Sequence, residues 1–161
     1  MVRQNITLVE GVTLDNYYLQ LNQNPAVHSK KALEQIMRSF GVESPYEGWI
    51  FPETYQITYG DSIQSIFVRA HNSMKKQLDI LWQARSETLP FNSPYEAIIL
   101  SSLIEKETAH HQEKSMIAGV FLRRLAEGMR LQADPSVIYA LGDAYTGSLS
   151  KQDLRIKSPY N

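Results

Sequence analysis

Apolar positions recur at two different periods along this chain. Ile6-Thr7-Leu8-Val9 is rich in β-branched residues and bounded by Glu10-Gly11, which predicts a short strand. A helix is predicted from about Thr13 to Leu21, closed by the turn at Asn22 to Pro25. Ser29 is placed to cap a second helix running to Phe40. Ala32, Leu33, Ile36, Met37 and Phe40 form its stripe, and Gly41 ends it. Pro45 then breaks the pattern. It marks the expected boundary between a partial N-terminal subdomain, residues 1–45, and a second domain, residues 46–161.

Residues 46–55 are dense in aromatics and turn formers. Asp61 with Gln64 matches a capping box, and Ile63, Ile66, Phe67, Ala70, Met74, Leu78 and Leu81 repeat at helical spacing as far as Arg85. The strongest local signal is Ser93-Pro94-Tyr95-Glu96: serine at the N-cap, proline at the first helical position, glutamate closing the box. That helix is expected to reach about Ala109. Another covers Gln112 to Glu127 and stops at Gly128. Val137 to Leu141 suits a short helix or a strand, and Ser150 with Asp153 begins one more helical turn. The run from Ala97 to Ile104 is apolar on most sides, as in a helix buried between neighbours. The predicted fold is α+β and mainly helical, with the Pro94 helix at its centre.

Composition narrows the function classes. Hydrophobic residues make up 43% and charged residues 20% of the 161, a globular composition. Sixteen basic and seventeen acidic residues give a net charge of -1, which offers no general attraction to nucleic acid or anionic lipid. The absence of cysteine excludes disulfides, zinc–thiolate sites and thiol nucleophiles. No apolar run approaches the ~20 residues of a membrane span, and the N-terminal stretch is too short and polar for a signal peptide. The chain is expected to be soluble and, from its stop at Ser158-Pro159-Tyr160-Asn161, a fragment.

Glu105 stands out chemically. It follows an apolar helical run, yet shares a face with Ser101, Ser102 and Thr108. One reading makes it a general acid in apolar surroundings; the other makes it a structural carboxylate paired with Arg123, Arg124 or Arg130. Glu47 and Glu53 flank Trp49 and Tyr55, which fits either sugar binding or an aromatic-packed turn. Asp134-Pro135 reads as a turn or a helix start. Glu107, His110 and His111 match no metal-ligand spacing, so no metal is assigned. Lys106 as a Schiff-base lysine lacks any phosphate cradle, so no cofactor is assigned.

Longer motifs then come into view. Glu47-Gly48-Trp49 with Phe51-Pro52-Glu53-Thr54-Tyr55 resembles a signature of the endolytic murein transglycosylases, the MltG or YceG-like family. Ser102-Leu103-Ile104-Glu105-Lys106-Glu107-Thr108 is similar to that family's S-[IL]-[IV]-E-K-E-T helix. Val120-Phe121, Arg124-Leu125, Gly128-Met129, Leu131-Gln132 and Asp134-Pro135-Ser136-Val137, with Tyr139, match a third block, and Pro159-Tyr160-Asn161 matches the start of a fourth. The blocks are in family order from Glu47 to Asn161, with weaker similarity back to Glu10-Gly11. Arg123 stands where the family often has asparagine, so no role is carried to it.

The resemblance implies cleavage of the β-1,4 bond between N-acetylmuramic acid and N-acetylglucosamine in peptidoglycan strands, leaving a 1,6-anhydromuramyl end. It gives Glu105 the catalytic role and makes Glu47, Glu53, Gln132 and Asp134 candidates for holding sugar. It implies an N-terminal LysM-like subdomain, of which residues 1–45 would be a remnant. It also implies a membrane anchor outside this chain, a place on the periplasmic face of the inner membrane, and a groove wall supplied by residues after Asn161. Glycan strands are the implied partner, with peptidoglycan synthases as further ones. The alternative is a non-catalytic module that grips glycan or docks on a synthase.

Overall fold

The computed structural model describes residues 3–158. The chain divides into two units between Arg85 and Ser86. The first contains β1 (Arg3–Thr7), α1 (Leu14–Asn22), β2 (Val27–His28), α2 (Leu33–Arg38), β3 (Thr54–Thr58), β4 (Asp61–Ser62) and α3 (Ile63–Gln83). β1 and β3 pair antiparallel, Arg3 opposite Thr58 and Thr7 opposite Thr54. The two-residue period of a strand sends Ile6, Tyr55 and Ile57 inward. Helix α1 is capped by Thr13 and buries Leu14, Tyr17 and Leu21, one turn apart or two. Helix α3 is capped by Ser62, whose Oγ accepts from the Ser65 amide at 3.1 Å, and buries Ile63, Ile66, Phe67 and Ala70. Leu8, Leu21, Ile36, Met37, Ile57 and Phe67 meet in one core.

Several expectations are corrected here. The compact unit does not end at Pro45. β1 needs a partner strand to satisfy its backbone, and that partner is β3, beyond the expected boundary. Only Tyr55 and Ile57 of β3 point inward, too short an alternation to stand out among the aromatics and turn formers. Helix α2 starts at Leu33, because Ser29 spends its hydroxyl on the Lys31 carbonyl at 2.7 Å. Asp61 does not cap α3; its carboxylate accepts from the Thr58 amide at 3.0 Å and shapes the preceding turn.

The second unit contains α4 (Pro94–Glu107), α5 (His111–Ala126), α6 (Asp134–Leu141) and 3-10 turns at Gly142–Ala144 and Asp153–Arg155. The cap of α4 forms as read: Ser93 Oγ accepts from the Glu96 amide at 3.4 Å, and Glu96 reaches back to the Asn92 amide at 2.7 Å. Helix α5 ends in a Schellman motif. Gly128 takes φ +65°, its amide donates to Leu125 and the Met129 amide to Arg124. Leu100, Phe121 and Ala133 form the buried centre, with Leu103, Ile104, Ile117, Leu122 and Leu131 around them.

The apolar run of α4 is not buried on most sides. Leu100 is its one buried residue, Ile99 is 47% exposed, and Ser101 and Ser102 face solvent. Helix α4 packs against α5 and α6, which cover a single stripe. No helix among the described residues is long and apolar enough to cross a membrane. The Pro159-Tyr160-Asn161 match lies outside the described residues.

Candidate active site

Helix α4 ends at Thr108, which leaves the α region and starts a tight turn into α5. Thr108 Oγ1 accepts from the His110 amide at 3.0 Å and donates to Glu113 Oε2 at 2.7 Å. One residue further along α5, Lys114 Nζ lies 2.5 Å from Glu105 Oε2 as an ion pair. The side chains of Glu105 and Lys114 are 28% and 26% exposed. Two consecutive residues of α5 thus hold the last turn of α4. Within the Glu105-Lys106-Glu107-Thr108 block, Glu105 and Thr108 point to α5, while Lys106 and Glu107 are exposed.

None of the arginines proposed for Glu105 is seen on it. Arg124 instead donates through Nη1 to the Leu131 carbonyl, and Arg123 and Arg130 are exposed. Sequence reasoning missed Lys114. A signal was present: in a helical hairpin, residues at equal distance from the turn face each other, and Glu105 and Lys114 are equidistant from Ala109-His110. The hydroxyls of Ser101 and Ser102 are tied back to the carbonyls of Ala97 and Ile99 at 2.8 and 2.7 Å. The helix surface N-terminal to Glu105 is therefore small and open.

Gln132 and Asp134 lie in the same unit. Leu131 and Ala133 are packed into the α4–α5 core, and the alternation leaves Gln132 and Asp134 exposed. Gln132 has φ +54°, the only positive φ among described non-glycine residues. Asp134 opens α6 with Pro135 behind it.

Glu47 and Glu53 belong to the first unit. Both Glu47 oxygens accept from the Leu14 amide, at 3.2 and 3.0 Å, so this carboxylate caps α1. Burial pushes the Glu47 carboxyl up from its ordinary range; the Leu14 hydrogen bond opposes that and Asp15 adds to it. Glu53 is exposed and accepts from the Thr54 amide at 3.0 Å. The aromatics of this block pack the unit. The Trp49 carbonyl is 3.1 Å from His71 Nδ1, and Tyr55 donates to the Phe51 carbonyl at 2.7 Å. Burial also lifts the Tyr55 and Tyr17 hydroxyls to about 12.

The chain is 34% identical over 130 residues to an endolytic murein transglycosylase of Streptococcus pneumoniae R6, covering 78% of this chain and 23% of that protein. It is 35% identical over 122 residues to an endolytic murein transglycosylase of Bacillus subtilis 168, covering 74% of this chain and 33% of the relative. The chain thus spans a quarter to a third of these relatives. A 2.6 Å crystal structure of a yceG-like protein from Listeria monocytogenes superposes with a TM-score of 0.74 at 26% identity, over 100% of this chain and 59% of that one. The YceG-like family model matches residues 1–161, and the chain belongs to the YceG-like family.

Proposed function

We propose that this chain carries the catalytic helix of a lytic transglycosylase that cuts the β-1,4 bond between N-acetylmuramic acid and N-acetylglucosamine within peptidoglycan strands. The observation that carries the reading is Glu105: a half-buried carboxylate at the end of α4, beside exposed serines that leave room for a sugar. The names of the pneumococcal and Bacillus relatives support the reaction class.

In this mechanism Glu105 donates its proton to the glycosidic oxygen as the C1–O4 bond breaks and its electron pair stays on that oxygen. The muramyl 6-hydroxyl oxygen then bonds to C1, and its proton returns to Glu105. No water is consumed, and the product is a 1,6-anhydromuramyl end. A glycosidase commonly needs a second carboxylate to supply or activate the nucleophile. Here the nucleophile belongs to the sugar and gains from intramolecular proximity, so one carboxylate suffices. Gln132 and Asp134, exposed on the same unit, are assigned to sugar contacts. Glu53 is retained as a candidate, and the capping of α1 by Glu47 gives that carboxylate a structural task.

The antiparallel pairing of β1 with β3, with α1 and α2 between them along the chain, supports reading this part of the first unit as the LysM-like subdomain. On the same reading glycan strands are the substrate, synthases are partners, and the site of action is the periplasmic face of the inner membrane.

The test is mass spectrometry of glycan strands digested by the chain, and by a form extended past Asn161 along the family pattern. New ends lighter by one water than hydrolysed ends are expected. Hydrated ends would mean a hydrolase, and strand binding without new ends would mean a non-catalytic module.

A further inference from the structure

Glu105 accepts one ion pair through Oε2, and the described residues place no other hydrogen bond on its carboxylate. This asymmetry bears on how an acid works. A proton shared between two equivalent oxygens points at the substrate only part of the time. A cationic donor fixed on one oxygen keeps the acidic proton on the other.

We infer that Lys114 is a positioning residue for the transglycosylase reaction: it holds Glu105 through Oε2, so that Oε1 presents the proton to the glycosidic oxygen. The inference rests on the reading of Glu105 as the acid. Charge gives Lys114 a second effect. As the proton passes from Oε1 to the leaving oxygen, Glu105 goes from neutral to negative, while the C1–O4 electron pair moves onto the aglycone. An ammonium at 2.5 Å interacts more strongly with the carboxylate than with the neutral acid. Measured from the protonated acid, it therefore stabilises the transition state more than the ground state, the condition for a faster chemical step. When the 6-hydroxyl oxygen closes on C1, its proton returns to Oε1, and the Lys114 contact to Oε2 persists throughout.

A purely structural role for Lys114 is poorly supported by the same geometry. The hairpin has its own clasp, Thr108 to Glu113 at 2.7 Å. A partly exposed lysine–carboxylate pair adds little to folding. The Lys114 ammonium sits on the carboxylate that the mechanism uses, 2.5 Å from Oε2.

The test compares wild type, E105Q, K114M and K114R in the extended form on purified glycan strands, measuring kcat, KM, product masses and thermal midpoints. K114M is expected to lower kcat by about 10–100-fold while KM stays within about twofold, the pattern of a contact made chiefly in the transition state. K114R should recover kcat to within about fivefold, because it restores a cationic donor to the same oxygen. Should K114M fold poorly, K114Q carries the same expectation. Wild-type kcat in folded K114M or K114Q overturns the inference. So does a rise in KM alone, or a loss that tracks the fraction unfolded. If wild type itself releases no anhydro ends, it is the transglycosylase reading that fails, whereas active wild type with equally active K114M removes only the role of Lys114.

Discussion

Glu47 caps a helix that begins 33 residues before it. Both of its carboxylate oxygens accept from the Leu14 amide, the first of α1, at 3.2 and 3.0 Å. The contact joins the segment leading to β3 to the start of α1, across the same core. It places a negative group at the positive end of a helix, and it explains in physical terms why a carboxylate suits that place in the Glu47-Gly48-Trp49 motif.

Removing that cap has a calculable cost. Glu47→Ala leaves the Leu14 amide without this acceptor, and loss of a helix cap typically costs about 0.5–2 kcal/mol. Glu47→Gln keeps one acceptor and sheds the buried charge. The folded-state carboxyl is raised, chiefly by burial. Such a group favours the folded state below its unfolded-state value and loses that contribution as pH climbs through its folded-state value. Wild type should therefore become less stable as pH rises from the ordinary carboxylate range through the raised value, and E47Q should flatten that fall. Urea unfolding followed by circular dichroism across this range checks both. A wild-type profile that rises there instead contradicts the assignment.

Glu105→Gln is expected to abolish strand cleavage, because glutamine has the shape but can neither donate nor take back the reacting proton. Its fold should survive, since a partly exposed ion pair is worth about 0–1 kcal/mol. Glu107→Gln removes an exposed carboxylate two residues away and should leave activity nearly unchanged. Cleavage rates and dichroism of the two variants, side by side, decide this. Equal losses with unchanged folds would remove Glu105 from its role.

Gly128 tests the end of α5. Its φ is +65°, and a side chain built there meets nothing within 4 Å. The cost of Gly128→Ala is thus conformational, about 1–2 kcal/mol for an L-residue held in the left-handed region. Asparagine tolerates that region better, so Gly128→Asn should cost less. Denaturant midpoints of the two variants give the ranking, and an alanine variant as stable as wild type would contradict the Schellman assignment.

What could be read before folding depended on whether the signal was local. Ser93, Pro94 and Glu96 cap α4 within one turn, and Gly128 stops α5; both were visible in the chain. The strand β3 was not, because its partner β1 lies beyond local patterning: Asn5 pairs with Gln56, 51 residues along the chain. The buried character of α4 was over-read for a related reason. Apolar composition says that neighbours are wanted, and only the packing shows that α5 and α6 supply one stripe. At the site, Glu105 was marked by its motif. Lys114 carried no motif, and the arginines that looked available were engaged elsewhere or exposed.

Gln132 offers a test that separates strain from chemistry. It is a non-glycine residue at φ +54°, exposed, between the inward Leu131 and Ala133. A left-handed backbone costs an ordinary residue on the order of 1 kcal/mol, and more if it is β-branched. Gln132→Gly relieves that strain, though the freer unfolded chain offsets part of the gain. Stability should therefore change by less than about 1 kcal/mol. Gln132→Val should be destabilised by about 1–2 kcal/mol, because its branched side chain crowds this conformation. If the Gln132 amide holds sugar, the glycine variant should cleave strands at least tenfold more slowly, about 1.4 kcal/mol in transition-state terms, although its fold is as stable as before. Thermal midpoints and strand-cleavage rates measured on the same preparations distinguish the cases. A glycine variant of full activity would leave Gln132 as a backbone element alone, with the sugar contacts of this unit falling to Asp134.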